Sequence, residues 1–128
     1  MRRSRLLLAY WHQKIDKLAE LPYSMKVLFI CNQNQNRSKT AESLFKGTYE
    51  TRSAGLYNDC PVTQKQLEWA DVIVVMEEAQ RTELARRFPA SYLKKRILSL
   101  NVPDVYAYDQ SQLKKELCTK FEKVSLQP

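Results

Sequence analysis

Four times along this chain a short apolar run is followed by a segment with helical spacing. The apolar runs cover residues 25–31, 49–54, 71–76 and 96–100. The clearest are Val27-Leu28-Phe29-Ile30 and Val72-Ile73-Val74-Val75. The intervening residues 38–45, 62–70, 77–88 and 110–123 read as helices. Runs this short, apolar without alternation, must be covered on both faces. A parallel sheet flanked by helices covers them. The expected fold is therefore α/β: a four-stranded parallel sheet with helices on both faces. Ligands of such sheets sit at the carboxyl edge of the strands. The segments that start at Cys31, Gly55, Glu77 and Asn101 should open on that edge.

A chain of 128 residues, 44% hydrophobic, suits one core. Residues 25–128 read as the domain that holds this core. In residues 1–24, Leu7, Trp11, Ile15, Leu18 and Leu21 recur at helical spacing and Pro22 follows them. This predicts an amphipathic accessory helix outside the domain. The basic start and the run Leu6 to Trp11 look like the opening of a signal peptide. That run is short and passes into His12-Gln13-Lys14 without a small-residue cleavage site. No apolar run reaches the roughly 18 residues of a membrane helix. Three cysteines, an odd number without regular spacing, make no disulfide framework. A cytoplasmic protein with free thiols is expected, and membrane association is not.

The net charge of +7 and the pI of about 9.4 favour an anionic partner. His12 is the only histidine, and no pair of cysteines has zinc-ligand spacing, so no metal and no cofactor are expected.

The residues with chemistry lie where the first strand meets the first helix: Cys31-Asn32-Gln33-Asn34-Gln35-Asn36-Arg37-Ser38. A Cys and an Arg separated by five residues arise by chance in about one chain in five of this composition. Context carries the weight here, because the Cys ends a buried strand and the Arg opens a helix. A loop wrapped before a helix N-terminus turns backbone N–H groups inward and binds phosphate. The same positive environment favours thiolate over thiol. Arg37 can hold two phosphate oxygens at once. Ser38 can donate to the sulfur and is a candidate helix cap, and Asn34 tolerates a left-handed backbone. Asn32, Gln33, Gln35 and Asn36 complete the loop. Cleavage of a phosphate ester also needs an acid for the leaving oxygen. The carboxylates expected on that edge are Asp59, Glu77, Glu78, Asp104 and Asp109. Tyr57 and Tyr106 are candidate walls of a substrate pocket.

The stretch from Val27 through Ser38, with Thr40-Ala41-Glu42, resembles the low-molecular-weight protein tyrosine phosphatases, above all their short bacterial branch. Ser53-Ala54-Gly55, Glu68-Trp69-Ala70-Asp71, Met76-Glu77 and Pro103-Asp104-Val105-Tyr106 extend the resemblance in order, over roughly residues 25 to 118. It implies that Cys31 attacks phosphorus and forms a phosphocysteine, that Arg37 binds the phosphoryl oxygens, and that Asp104 acts as acid and then base. It implies a phosphorylated protein or small phosphate ester as partner. The chain departs from the pattern in four places. Lys39 stands where the family has Pro, Val105 replaces the Pro of the acid loop, Gln80 stands where the short branch often has His, and Asn36 stands where many relatives have a second Cys.

Three other readings compete. An arsenate reductase of the same fold needs a relay of further cysteines, but Cys60 and Cys118 are far apart in sequence. A sugar-transport phosphocarrier has no need of Arg37 and Asp104. A silent phosphate- or nucleic-acid-binding module does not explain Cys31, Arg37 and Asp104 together. Cys60, after Gly55, is a candidate redox partner of Cys31, and Cys118 is expected in the core of the last helix.

Overall fold

The computed structural model describes residues 25–125. The amphipathic segment expected over residues 1–24 lies outside them. The described chain runs β1 (Lys26–Cys31), α1 (Arg37–Phe45), β2 (Glu50–Gly55), α2 (Gln64–Trp69), β3 (Val72–Val75), α3 (Glu78–Arg87), α4 (Pro89–Lys94), β4 (Arg96–Ser99) and α5 (Ser111–Ser125). The four strands form one parallel sheet in the order β2-β1-β3-β4, as the alternating pattern predicts.

The pleat of β1 sorts its side chains into two cores. Val27, Phe29 and Cys31 share one face with Val72, Val74 and Met76. There Ala41 and Phe45 of α1 and Leu113, Leu117 and Phe121 of α5 cover them. Phe45 lies 5.7 Å from Phe29 and 4.6 Å from Phe121, centroid to centroid. Tyr49 meets Phe121 edge-on, and burial pushes its hydroxyl up to about 12, so it stays neutral at physiological pH. Leu28, Ile30, Ile73 and Val75 face the other way, under Leu67 of α2, Leu84 of α3 and Leu56. Both central strands are thus buried on both faces, which only apolar residues at every position allow.

Helix ends account for the boundaries. Thr63 and Gln66 form a capping box at the start of α2, with Thr63 Oγ1 accepting from the Gln66 N–H and Gln66 Oε1 from the Thr63 N–H. At its other end Lys95 Nζ donates to the carbonyls of Glu68 and Ala70. The sequence predicts one helix over residues 77–88 and nothing before the last strand. A second short helix, α4, begins there instead. Pro89 disfavours helical backbone at Phe88 (φ −133°, ψ 63°), ends α3, and then serves as a first helical residue itself.

Strand order fixes where a site can form. β2 and β3 flank β1, so the chain must cross from one side of β1 to the other between them. The crevice this leaves lies at the carboxyl end of β1, where Cys31 pairs in register with Gly55. A Cβ on Gly55 would lie 2.5 Å from Asn58 Oδ1 and 3.0 Å from the Asn32 carbonyl oxygen. Neither the backbone of Asn32 nor the half-buried Asn58 can retreat freely. Gly55→Ala should therefore lower stability by about 1–3 kcal/mol, read as an earlier midpoint in urea unfolding. An unchanged midpoint would show that the β2 end is not tightly packed against the Cys31 loop.

Candidate active site

Cys31 is the last residue of β1 and is 3% exposed. The chain then turns through Asn32 to Asn36 into α1. Asn34 makes the turn possible with a left-handed backbone (φ 54°). Its N–H donates to Cys31 Sγ at 3.2 Å. The outer side of the loop is tied to the segment after β2: the Asn32 carbonyl accepts from the N–H of Leu56 at 3.0 Å and of Tyr57 at 2.8 Å. The N–H groups of Gln33, Gln35, Asn36 and Arg37 donate to no acceptor among the described residues. Such a row of unpaired donors at a helix N-terminus suits an oxyanion. The side chains of Gln33 and Gln35 are exposed, and those of Asn32, Asn34 and Asn36 are half-buried.

Ser38 is not the cap that the sequence predicts. α1 starts one residue earlier, Asn36 takes the cap position without a side-chain cap bond, and Ser38 is buried inside the first turn. Its Oγ lies 2.9 Å from Cys31 Sγ and 2.6 Å from Asn34 Oδ1. A hydroxyl has one proton, so these two contacts are exclusive as donations. Donation to Asn34 leaves the sulfur as a thiol that donates to Ser38. Donation to the sulfur stabilises a thiolate, and then the Asn34 amide must turn its NH₂ toward Ser38. The triad can therefore serve either charge state of Cys31.

Arg37 is 1% exposed, the largest fully buried side chain described. Its Nη1 donates to the Val102 carbonyl at 2.8 Å and meets Glu77 Oε1 at 3.0 Å. Nη1 is thereby held between a carbonyl and a carboxylate. Nε and Nη2 have no hydrogen-bond acceptor among the described residues, and together they form the two-pronged edge that recognises a phosphoryl group. Asp104 Oδ1 stands 3.7 Å from Nε, with its side chain 58% exposed.

The five carboxylates separate by their partners. Glu77 anchors Arg37. Glu78 pairs with Arg81 at 3.2 Å and Asp109 with Lys114 at 3.2 Å. Asp59 is exposed in the β2–α2 connection. Asp104 approaches the open edge of Arg37. Tyr57 is exposed, and the Arg87 guanidinium lies 5.0 Å from its ring centroid. Tyr106 is partly buried against the α1–α5 core. Cys60 is exposed and borders a cleft of about 370 Å³ with Arg52 and Lys65. Cys118 is exposed on α5 and not a core residue: Leu113, Leu117 and Phe121 make the buried stripe, and position 118 falls beside it. Its thiol is pushed up by partial desolvation and by Glu122.

Sequence reasoning missed two groups that hold the site. The Val102 carbonyl carries no side-chain signal. Glu77 was a candidate acid, but its place directly after a buried strand puts it behind Arg37. No helix among the described residues is long and apolar enough to cross a membrane.

The chain has the fold of the low-molecular-weight protein tyrosine phosphatases. It is similar to the YwlE arginine phosphatase, in a cysteine-to-serine mutant with a phosphorylated active-site serine, at 20% identity and a TM-score of 0.67, over 79% of this chain and 93% of that one. It is similar to the low-molecular-weight protein tyrosine phosphatase of T. tengcongensis at 19% identity and a TM-score of 0.63, over 80% and 99%. The tyrosine phosphatase Wzb of Escherichia coli K30, in complex with phosphate, follows at 18% identity and a TM-score of 0.62, over 80% and 97%. No protein-family model and no curated protein matches the chain.

Asn34 supplies both a left-handed turn and a contact to Ser38, and two variants separate these. Asn34→Gly keeps the turn and loses the contact, while Asn34→Ala also strains the backbone by roughly 1–2 kcal/mol. Calorimetric titration with inorganic phosphate should rank the affinities wild type, then Asn34→Gly, then Asn34→Ala, with about a tenfold gap between the last two. Equal affinity of the two variants would remove the left-handed turn from the account.

Proposed function

We propose that this chain is a cysteine-dependent phosphate monoester hydrolase of the low-molecular-weight protein tyrosine phosphatase family, acting on phosphorylated tyrosine in proteins and on small aryl phosphates. The observation that carries the reading is the committed Arg37: a buried guanidinium with Nη1 fixed and its Nε–Nη2 edge left for a ligand. Arg37 opens the helix into which the loop from Cys31, with its unpaired N–H groups, runs. A buried cation costs several kcal/mol to desolvate, and an oxyanion on its open edge offsets part of that cost.

In this reading the phosphoryl oxygens lie against the loop N–H groups and the Arg37 edge. Cys31 Sγ, as thiolate, attacks phosphorus opposite the leaving oxygen. The S–P bond forms, the P–O bond to the leaving group breaks, and Asp104 gives its proton to the departing oxygen. Asp104, now a carboxylate, takes a proton from water as that water attacks the phosphocysteine. The S–P bond breaks, and thiolate and inorganic phosphate result. Ser38 holds the sulfur in both steps, and Tyr57 and Tyr106 flank the aromatic leaving group. The phosphorylated active-site serine named for YwlE supports a covalent phosphoenzyme here. Residues 25–125 contain every group assigned above, so residues 1–24 are an accessory segment. Three free thiols suit a cytoplasmic setting.

The test is steady-state turnover of aryl phosphates with leaving groups of graded acidity, alongside phosphotyrosine, phosphoserine and phosphoarginine peptides. Wild type should turn over aryl phosphates and phosphotyrosine, and Cys31→Ser should have no turnover while still binding phosphate. Asp104→Asn should lose about a hundredfold or more on phosphotyrosine and less than about tenfold on p-nitrophenyl phosphate, which leaves without a proton. Turnover by Cys31→Ser contradicts the proposal. Preference for phosphoarginine retains the chemistry and changes the substrate.

A further inference from the structure

Gln80 sits in the first turn of α3 and is 1% exposed. A buried amide in this position must satisfy both of its ends. Its Oε1 accepts from two backbone N–H groups, Met76 at 2.7 Å and Glu77 at 3.0 Å. Two N–H donors can face only the oxygen, which fixes the orientation of the amide. Nε2 is therefore directed at the Cys31 loop, where it donates to Asn32 Oδ1 at 3.1 Å. One end of Gln80 thus holds the peptide from which Glu77 projects, and Glu77 holds Arg37. The other end holds the residue next to Cys31. Apart from the Arg37–Glu77 ion pair, no other side chain among the described residues bridges these two segments.

We propose that Gln80 is a positioning residue that fixes the Cys31 loop relative to the carboxylate anchoring Arg37, so that sulfur and guanidinium meet one phosphoryl group in register. The inference rests on the phosphatase reading of the site. Gln80 touches neither substrate nor sulfur, and its effect passes through Asn32 and Glu77. A side chain of similar volume without polar atoms leaves the Met76 and Glu77 N–H groups unsatisfied and frees Asn32. A neutral imidazole has one acceptor and one donor nitrogen, so it can accept from one of the two N–H groups and donate to Asn32, keeping a link to each segment.

The experiment compares full-length wild type, Gln80→Leu and Gln80→His. It measures kcat and KM on an aryl phosphate, the dissociation constant for inorganic phosphate, and Tm. Gln80→Leu should lower kcat and weaken phosphate binding by about tenfold each, at temperatures where it is fully folded. Gln80→His should recover both to within about threefold of wild type. A folded Gln80→Leu protein with wild-type kcat and phosphate affinity overturns the proposal. So does a folded Gln80→His protein no better than tenfold below wild type, which decides the matter if Gln80→Leu does not fold. If wild type binds phosphate but turns nothing over, the phosphatase reading fails, and phosphate affinity across the variants still tests the positioning role.

Discussion

A guanidinium buried to 1% exposure has to be held from several sides, and Arg37 joins three parts of the chain. It belongs to the first turn of α1, its carboxylate partner Glu77 follows β3, and its carbonyl partner Val102 follows β4. Those segments meet because parallel strands all end on the same edge. The buried charge would be costly if it were unpaired, so the site is also a structural joint. The register of β1 with β3 and of β3 with β4 sets the spacing at that joint. The Met76 carbonyl accepts from the Val102 N–H at 2.8 Å, so the backbone before Glu77 is bonded to the residue whose carbonyl meets Arg37.

The segment after β4 combines fixed ends with an exposed middle. Asn101 and Asp109 both adopt left-handed backbone. The Asn101 carbonyl accepts from Lys120 of α5, and the Asp109 N–H donates to Thr40 of α1 at 2.9 Å. Between them Asp104 and Val105 are open to solvent. An acid that must pass a proton to substrate and then take one from water needs access, and fixed ends keep it near Arg37. Cys31 and Arg37 are thus buried, while Asp104, the acid of the proposed reaction, stays open to solvent.

Much of this was legible in the sequence because burial leaves a compositional mark. Val27 to Ile30 and Val72 to Val75 could only be central strands, and two such strands with helical segments between them require a parallel sheet. The loop was legible because Cys31 and Arg37 fall at the junction of a buried strand and a helix N-terminus. What the sequence hid depends on backbone atoms and on start points. The Val102 carbonyl has no residue signature. Ser38 reads as a cap, and only the observed start of α1 at Arg37 shows that it faces the sulfur. Gln80 reads as a polar residue on a charged helix, because nothing in its exposed neighbours reveals that its own side chain is buried and bonded to Asn32. The break at Pro89 was visible in principle, since a proline after Phe88 ends one helix and can start another.

The most direct measurement on the account is capture of the covalent intermediate. Wild-type protein turning over a good aryl phosphate is quenched in acid within one turnover, digested, and analysed by mass spectrometry. The account predicts a single peptide, the one containing Cys31, carrying one phosphoryl group, with the modification absent when substrate is omitted. Sustained turnover without a phosphorylated Cys31 peptide, or with the phosphoryl group on another residue, would contradict it.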